Sequence, residues 1–408
     1  MTRTVAITGM GIVSPIGVGI DPFWAAARSG HSGVDRIRHF DPSEYPTQIA
    51  GQVEDFALSD WSSTQRPRRH CRAAQYALAA SGMALQDAGL AAKSADLTNA
   101  GVYFGTGLGG GPDLETAYDC FFSKRWRRMP PTTIPKAMPN AIANSIAIEH
   151  GMRGPNVTVA NACVSSAEAA AQAFEAVRSG RLDVALAGGA ESMLWESTMA
   201  SWCQLGALSA RNDAPAAASR PFDRDRDGMV MAEGAGVLLL EEEGRARARG
   251  ATIYARVLGS ASNCDASHIT VPDAAGQADA ILQALRDARI DADRVDCVSA
   301  HGTSTQLNDV VETRAIKDAL GRRAEQIAIA ALKSMTGHMM GAAGAAQLIA
   351  TALTLRDGEL YPTINLDNPD PECDLDYVAH TARRLPAEIA LSNHFALGGS
   401  NTVVVLGR

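Results

Sequence analysis

The sequence predicts an α/β fold with layered sheets, on three observations. Apolar runs of strand length recur without polar alternation, helical stretches lie between them, and the second half repeats the order of the first. An unalternated apolar run marks a strand covered on both faces, and strands separated by helices favour sheets packed between helical layers.

The first strand is read from Val5-Ala6-Ile7-Thr8-Gly9-Met10-Gly11-Ile12-Val13. Val102-Tyr103-Phe104, Val157-Thr158-Val159, Val184-Ala185-Leu186-Ala187 and Val237-Leu238-Leu239-Leu240 follow, with helices over 73–87 and 167–179. Tyr254-Ala255-Arg256-Val257-Leu258-Gly259 then replays the opening. Val295-Asp296-Cys297-Val298-Ser299 leads into His301-Gly302-Thr303 as Val102-Tyr103-Phe104 leads into Gly105-Thr106-Gly107. Ile327-Ala328-Ile329 opens onto Lys333 as Val157-Thr158-Val159 opens onto Cys163. The following helices end alike, at Arg178-Ser179-Gly180 and Arg356-Asp357-Gly358, and 402–406 echoes 237–240. A duplicated unit accounts for five matches in order, with a period far longer than that of solenoid repeats. The join falls near Gly250, so the halves are 1–250 and 251–408, with no low-complexity linker between them. The longest irregular stretch, 208–227, is read as a functional loop.

Composition narrows the function. The chain has 408 residues, 46% of them hydrophobic, enough for two domains or one large α/β body. A formal net charge of -8 argues against general nucleic-acid binding. Seven scattered cysteines without CxxC spacing indicate neither a disulfide framework nor a zinc site. No metal is expected. No signal-like apolar segment follows Met1 and no run is long enough to span a bilayer, so a cytoplasmic protein away from membranes is expected.

Cys163 follows a buried-type strand and precedes an Ala-rich helix former. That places the sulfur at a strand-to-helix turn, where free N–H groups and the helix dipole lower a thiol pKa. A lone cysteine is more often a buried structural residue. His301 and His338 both follow buried strands of the second half, flanked by glycine, and Lys333 lies between them. Each alone is more often structural. Together they match one chemistry: loss of CO₂ from a malonyl thioester leaves an enolate oxygen that two imidazole N–H groups can hold without a metal. A neighbouring ammonium adds positive field, and a cysteine can carry the acyl group that the carbanion attacks.

These residues lie in longer motifs. Asn161-Ala162-Cys163, Arg220-Pro221-Phe222-Asp223-Arg224-Asp225-Arg226-Asp227-Gly228, His301-Gly302-Thr303-Ser304-Thr305, Lys333-Ser334-Met335-Thr336-Gly337-His338, Tyr361-Pro362-Thr363-Ile364-Asn365-Leu366 and Gly398-Gly399-Ser400-Asn401 resemble the elongating β-ketoacyl-acyl-carrier-protein synthases of the thiolase superfamily, second bacterial class. The resemblance covers essentially the whole chain. It implies a duplicated thiolase fold in five αβαβα layers, with Cys163 as nucleophile, His301 and His338 as the decarboxylation pair and Lys333 in support. It makes the N–H groups of Cys163 and Phe395 the oxyanion hole, and Asp309 and Glu312 a structural acidic pair. Thr270 and Thr305, or else Thr303, would touch the phosphopantetheine arm, which the acyl carrier protein brings, so no cofactor of its own is implied. By family position Leu108, Ile134, Met229 and Leu397 line or gate the acyl pocket. Family members are dimers.

The family's Phe-Gly-Phe gate stands here as Phe395-Ala396-Leu397, and Asn161 and Val164-Ser165-Ser166 depart from the usual surroundings of the nucleophile. Alanine is stiffer than glycine, so gating and acyl selectivity are expected to differ. These departures favour a specialised pathway, such as a type II polyketide system, over housekeeping fatty-acid synthesis. There an active synthase pairs with a chain-length-factor-like subunit, and the intact Cys163 makes this chain the catalytic partner; a homodimer and a heterodimer both stay open.

An acidic carrier protein needs a local basic patch on an acidic chain. Two segments qualify, Arg66, Arg68 and Arg69, then Lys124, Arg125, Arg127 and Arg128; solvated basic faces are the plainer reading of both. Two rival functions remain. A thiolase would carry a second cysteine near the C-terminal glycines, where Cys373 is the nearest upstream. A non-catalytic chain-length or acyl-binding subunit would not need Cys163, His301, His338 and Lys333 together.

Overall fold

The computed structural model describes residues 3–62, 67–90, 94 and 97–408. One eleven-stranded sheet runs through them. Apart from the two-residue strand Gly17–Val18, its strands in chain order are β1 (Val5–Ser14), β2 (Gly101–Gly105), β3 (Asn156–Val159), β4 (Val184–Glu191), β5 (Gly234–Glu242), β6 (Ala255–Cys264), β7 (Cys297–Ser299), β8 (Ala328–Ala330), β9 (Ile389–Phe395) and β10 (Ser400–Gly407). Helices used below are α1 (Arg72–Asp87), α2 (Gly111–Phe122), α3 (Ala141–His150), α4 (Ser165–Arg178), α5 (Ala274–Ala288), α6 (Gln306–Leu320) and α7 (Ala343–Asp357).

The first half runs β3-β2-β4-β5-β1 and the second β8-β7-β9-β10-β6. Pairing repeats strand for strand. β3, β2 and β4 are mutually parallel while β4–β5 and β5–β1 are antiparallel, and the same holds for their counterparts five strands later. A short antiparallel contact, Val5↔Val257 to Ile7↔Ala255, joins the halves. The repeats inferred from the sequence are therefore those of the sheet.

The buried apolar runs need cover on both faces. α4 packs on β2 and β4 of the first half and reaches β10 and β6 of the second; α7 likewise touches β5, β4 and β9. α7 is buried on every side from Ala343 to Leu355, with Gln347, Thr351 and Thr354 among otherwise apolar or small residues. Outside, α1 with α3 covers β1 and β5, and α5 with α6 covers β6 and β10. The outcome is five layers, αβαβα. The apolar clusters follow these layers, one around α4 and α7 and one under each outer helical layer. Each fully buried Leu, Ile or Phe contributes roughly 1.5–3 kcal/mol of transfer free energy.

Small residues bring the two central helices together at their N-termini. A Cβ on Gly344 would stand 2.8 Å from the Ala167 nitrogen, and the Ala345 N–H donates to Ser166 Oγ at 2.9 Å. Gly105 closes β2 so tightly on the start of α4 that a Cβ there would lie 2.3 Å from the Ser165 carbonyl carbon. Two positive helix ends thus face one region.

Candidate active site

Cys163 sits where β3 gives way to α4, inside the single turn Ala162–Val164. Ala162 adopts a left-handed φ of 46°, a strained conformation for a residue with a Cβ, and it throws the next side chain out of the strand direction. Ser165 secures the turn: its hydroxyl donates to the Ala162 carbonyl at 2.7 Å and accepts the Asn161 N–H at 2.8 Å. The turn is the one expected, but the thiol is not depressed. Burial pushes it up to about 11 against the opposing field of Lys333 and the N–H groups of Leu397 and of Cys163 itself. In a dry pocket desolvation of the thiolate outweighs the helix end.

The loop after β7 carries His301 and is held by the acidic pair. Glu312 accepts the His301 and Gly302 N–H groups, both at 2.8 Å, and Asp309 accepts those of Thr303 at 3.1 Å and Phe222 at 2.9 Å. The 208–227 loop braces the same segment. The Arg220 N–H donates to Ser304 Oγ at 3.0 Å and Arg226 Nε to the Thr305 carbonyl at 2.9 Å. Its conspicuous Arg-Asp motif is thus a clamp, and Asp227 at its end reaches the cavity described below.

Lys333 follows β8, the counterpart of the strand before Cys163. Its buried ammonium donates to the His301 carbonyl at 2.6 Å and stands 3.4 Å from His301 Nδ1. Burial pulls its pKa down to about 8, with Glu312 acting the other way. His338 is anchored through its backbone: its N–H donates to the Val230 carbonyl and its carbonyl accepts from Ala232. Its Nδ1 accepts the Met340 N–H at 3.1 Å, so the neutral ring carries its proton on Nε2. Burial, then Lys333, holds both histidines well below the usual imidazole range, so both are neutral near pH 7. Their rings stand edge to face, 5.6 Å apart.

Cys163, His301, His338 and Phe395 line one cavity of about 430 Å³, together with Thr270, Thr303, Thr305, Met229 and Leu397. A sulfur from the first half and two imidazoles from the second therefore meet. Lys333 lies behind His301. Two expected pocket residues do not join: Leu108 and Ile134 are exposed on this chain and are not part of the lining. Phe395 ends β9 with its ring 5.8 Å from that of His301, the Ala396 N–H is taken by the Ser400 carbonyl, and the backbone N–H of Leu397 acts to lower the Cys163 thiol against its burial. Arg68, Arg69, Lys124, Arg125, Arg127 and Arg128 are exposed, whereas Arg66 lies outside the described residues.

Three polar residues near the site were not singled out in the sequence. Gln347, a buried polar side chain of α7, accepts from Lys333 at 3.3 Å. His394 is buried and adds to the field on His301. Glu191, fully buried, accepts N–H groups from Gly107, Leu108 and Gly341.

Comparison with known proteins agrees with this geometry. Residues 2–246 match the Beta-ketoacyl synthase, N-terminal domain, and residues 254–367 match the Beta-ketoacyl synthase, C-terminal domain. The chain is 41% identical to the 3-oxoacyl-[acyl-carrier-protein] synthase 2 of Synechocystis sp., over 100% of this chain and 98% of that protein. Among solved structures it superposes on the ishigamide ketosynthase/chain length factor with a TM-score of 0.95 and 36% identity, covering 100% of this chain and 99% of the other. It superposes on AntDE, a type II polyketide ketosynthase bound to the hexaketide and solved in complex with its acyl-carrier protein AntF, with a TM-score of 0.89 and 35% identity, over the full length of both chains. With fold, site and full-length likeness in accord, the chain belongs to the β-ketoacyl synthase family, as a condensing enzyme of the thiolase fold.

Proposed function

We propose that this synthase condenses an acyl group held on Cys163 with malonyl-acyl carrier protein, giving β-ketoacyl-acyl carrier protein, CO₂ and free carrier, in fatty-acid or type II polyketide elongation. The observation that carries the reading is the pair of neutral imidazoles, His301 and His338, in one cavity with Cys163. The His338 Nε2 is buried with no hydrogen-bond partner among the described residues, a donor held ready for an incoming oxygen.

In the first half-reaction the Cys163 sulfur attacks the acyl thioester of the carrier arm. The C–S bond to the arm breaks and the thiol proton leaves with the carrier's sulfur. The Cys163 and Leu397 N–H groups hold the tetrahedral oxyanion. In the second, the malonyl C–C bond to the carboxylate breaks and its electrons move to the thioester oxygen, where Nε2–H of His301 and His338 stabilise the enolate. The carbanion then attacks the acyl-enzyme carbonyl, the C–S bond to Cys163 breaks, and the thiolate takes up one proton from solvent. Such ping-pong chemistry divides one hard step into two. Thr270, Thr303 and Thr305 on the cavity wall suit the amides and hydroxyls of a phosphopantetheine arm.

The exposed arginines at 68–69 and 127–128 are assigned to docking the carrier protein. The outermost strand of the first half, β3, has an unpaired edge, and Phe121, Phe122 and Trp126 are exposed nearby in sequence to Ile134. These features favour a dimer, with itself or with a chain-length-factor-like subunit, in which Leu108 and Ile134 complete the acyl pocket across the interface. Incubation with acyl and malonyl carrier proteins tests the reading: CO₂ release and an acyl adduct on Cys163 by mass spectrometry are expected. Turnover retained by Cys163→Ala would refute the covalent step.

A further inference from the structure

Gln347 lies at the centre of the molecule on α7, 1% exposed, and both ends of its amide are in use. Oε1 accepts from the Lys333 ammonium at 3.3 Å. Nε2 donates to the Ser299 carbonyl at 2.8 Å, the Asn393 carbonyl at 3.0 Å and Ser392 Oγ at 3.3 Å. Chemistry dictates that orientation, because an ammonium only donates and carbonyls only accept. One side chain thus joins Lys333 to the end of β7, just before His301, and to β9, just before Phe395 and Leu397. Ser392 passes the contact on to His394 Nε2 at 2.9 Å.

We infer that Gln347 is a positioning residue for decarboxylation, holding the Lys333 ammonium against His301 and fixing that pair to the strand that ends at Phe395, two residues before Leu397. The inference rests on the function proposed above. The amide matters because it is neutral. Lys333 already feels Glu312 and Asp309 from α6 and Cys163 from the start of α4, and in turn acts on the rings of His301, His338 and His394. A carboxylate at 347 would add an anion on the one side now occupied by an uncharged acceptor. It would also set itself against the three oxygens that the amide nitrogen now serves. A hydrocarbon there would leave those oxygens and the ammonium without their shared partner.

The test compares Gln347→Leu and Gln347→Glu with the unaltered full-length enzyme. Acylation of Cys163 by acyl carrier protein is read by mass spectrometry, and CO₂ release from malonyl carrier protein is followed against pH. For Gln347→Leu, acylation should stay within about threefold while CO₂ release falls by about tenfold or more, the scale of a lost transition-state contact. For Gln347→Glu, the alkaline limb of CO₂ release should move up by about one pH unit as the new anion favours the ammonium. If Gln347→Leu does not fold, that limb decides alone. Gln347→Leu releasing CO₂ at the unaltered rate, equal losses of acylation and CO₂ release, or an unmoved limb in Gln347→Glu would each overturn the inference. An unaltered enzyme that releases no CO₂ would instead remove the functional reading itself.

Discussion

The Lys333 ammonium donates to the His301 carbonyl at 2.6 Å and stands 3.4 Å from Nδ1 of the same residue. One cation therefore fixes the backbone of the histidine and engages its inner ring nitrogen, which turns the Nε2 proton toward the cavity.

A pH dependence follows. The Lys333 pKa is lowered to about 8, chiefly by burial. CO₂ release should fall as pH rises through about 8, while acylation of Cys163, which does not need the enolate contacts, should not fall there. Rates of the two half-reactions measured separately from neutral to alkaline pH check this. Between about 8 and the ordinary lysine value the unfolded chain binds more protons than the native one, so this residue makes stability rise with pH across that window.

The proposed mechanism uses His338 as a donor and not a base, in keeping with an Nδ1 engaged by Met340 and a neutral ring. His338→Ala should lower CO₂ release by about 10²–10³ and spare acylation. His338→Asn keeps an N–H on a shorter arm and should recover part of the loss. Single-turnover assays with malonyl carrier protein distinguish the two, and an Asn variant no better than Ala would argue for a proton-transfer role.

Glu191 is buried among backbone N–H groups with no cation in contact among the described residues, and burial raises its pKa to about 7. The native state holds this proton more tightly than the unfolded one. Its contribution to stability is present in full below the ordinary glutamate value and is lost as pH rises to about 7, on the order of 3 kcal/mol for a shift of this size. Glu191→Gln should flatten the dependence of the urea midpoint on pH across that window. A slope equal to that of the unaltered protein would count against it.

Reversing Arg68 and Arg69 to Glu should raise KM for carrier-bound substrate by about tenfold at low salt, leave kcat nearly unchanged, and reduce the salt sensitivity of binding. The measurement is kcat and KM at two ionic strengths. A free pantetheine thioester serves as control, because it lacks the acidic carrier.

The fold was legible because its signals are local. Runs such as Val157-Thr158-Val159 and Val237-Leu238-Leu239-Leu240 become the strands they resemble; four of the five correspondences between halves reappear in the sheet order and the fifth as the ends of α4 and α7. Cys163, His301 and His338 were legible as residue types at strand ends. The rest depends on three-dimensional context. Local sequence placed the Cys163 thiol at a helix end and missed the burial that raises it. The end of the β9–β10 pairing takes the Ala396 N–H to the Ser400 carbonyl, and it is the Leu397 N–H, two residues past Phe395, that acts on the thiol. Gln347 drew no notice in the sequence, because its partners come from β7, β9 and Lys333, distant along the chain. Leu108 and Ile134 are exposed on this chain, and their surroundings belong to the dimer proposed above.

The strand-for-strand repeat has an outcome for heredity. Cys163 and Lys333 occupy equivalent places, each just beyond the edge strand of its own half. Doubling usually leaves a spare copy to absorb damage. Here the copies have taken up different tasks, one furnishing the sulfur and the other the cation, so neither half can stand in for the other, and a lesion at either position leaves the molecule without a substitute.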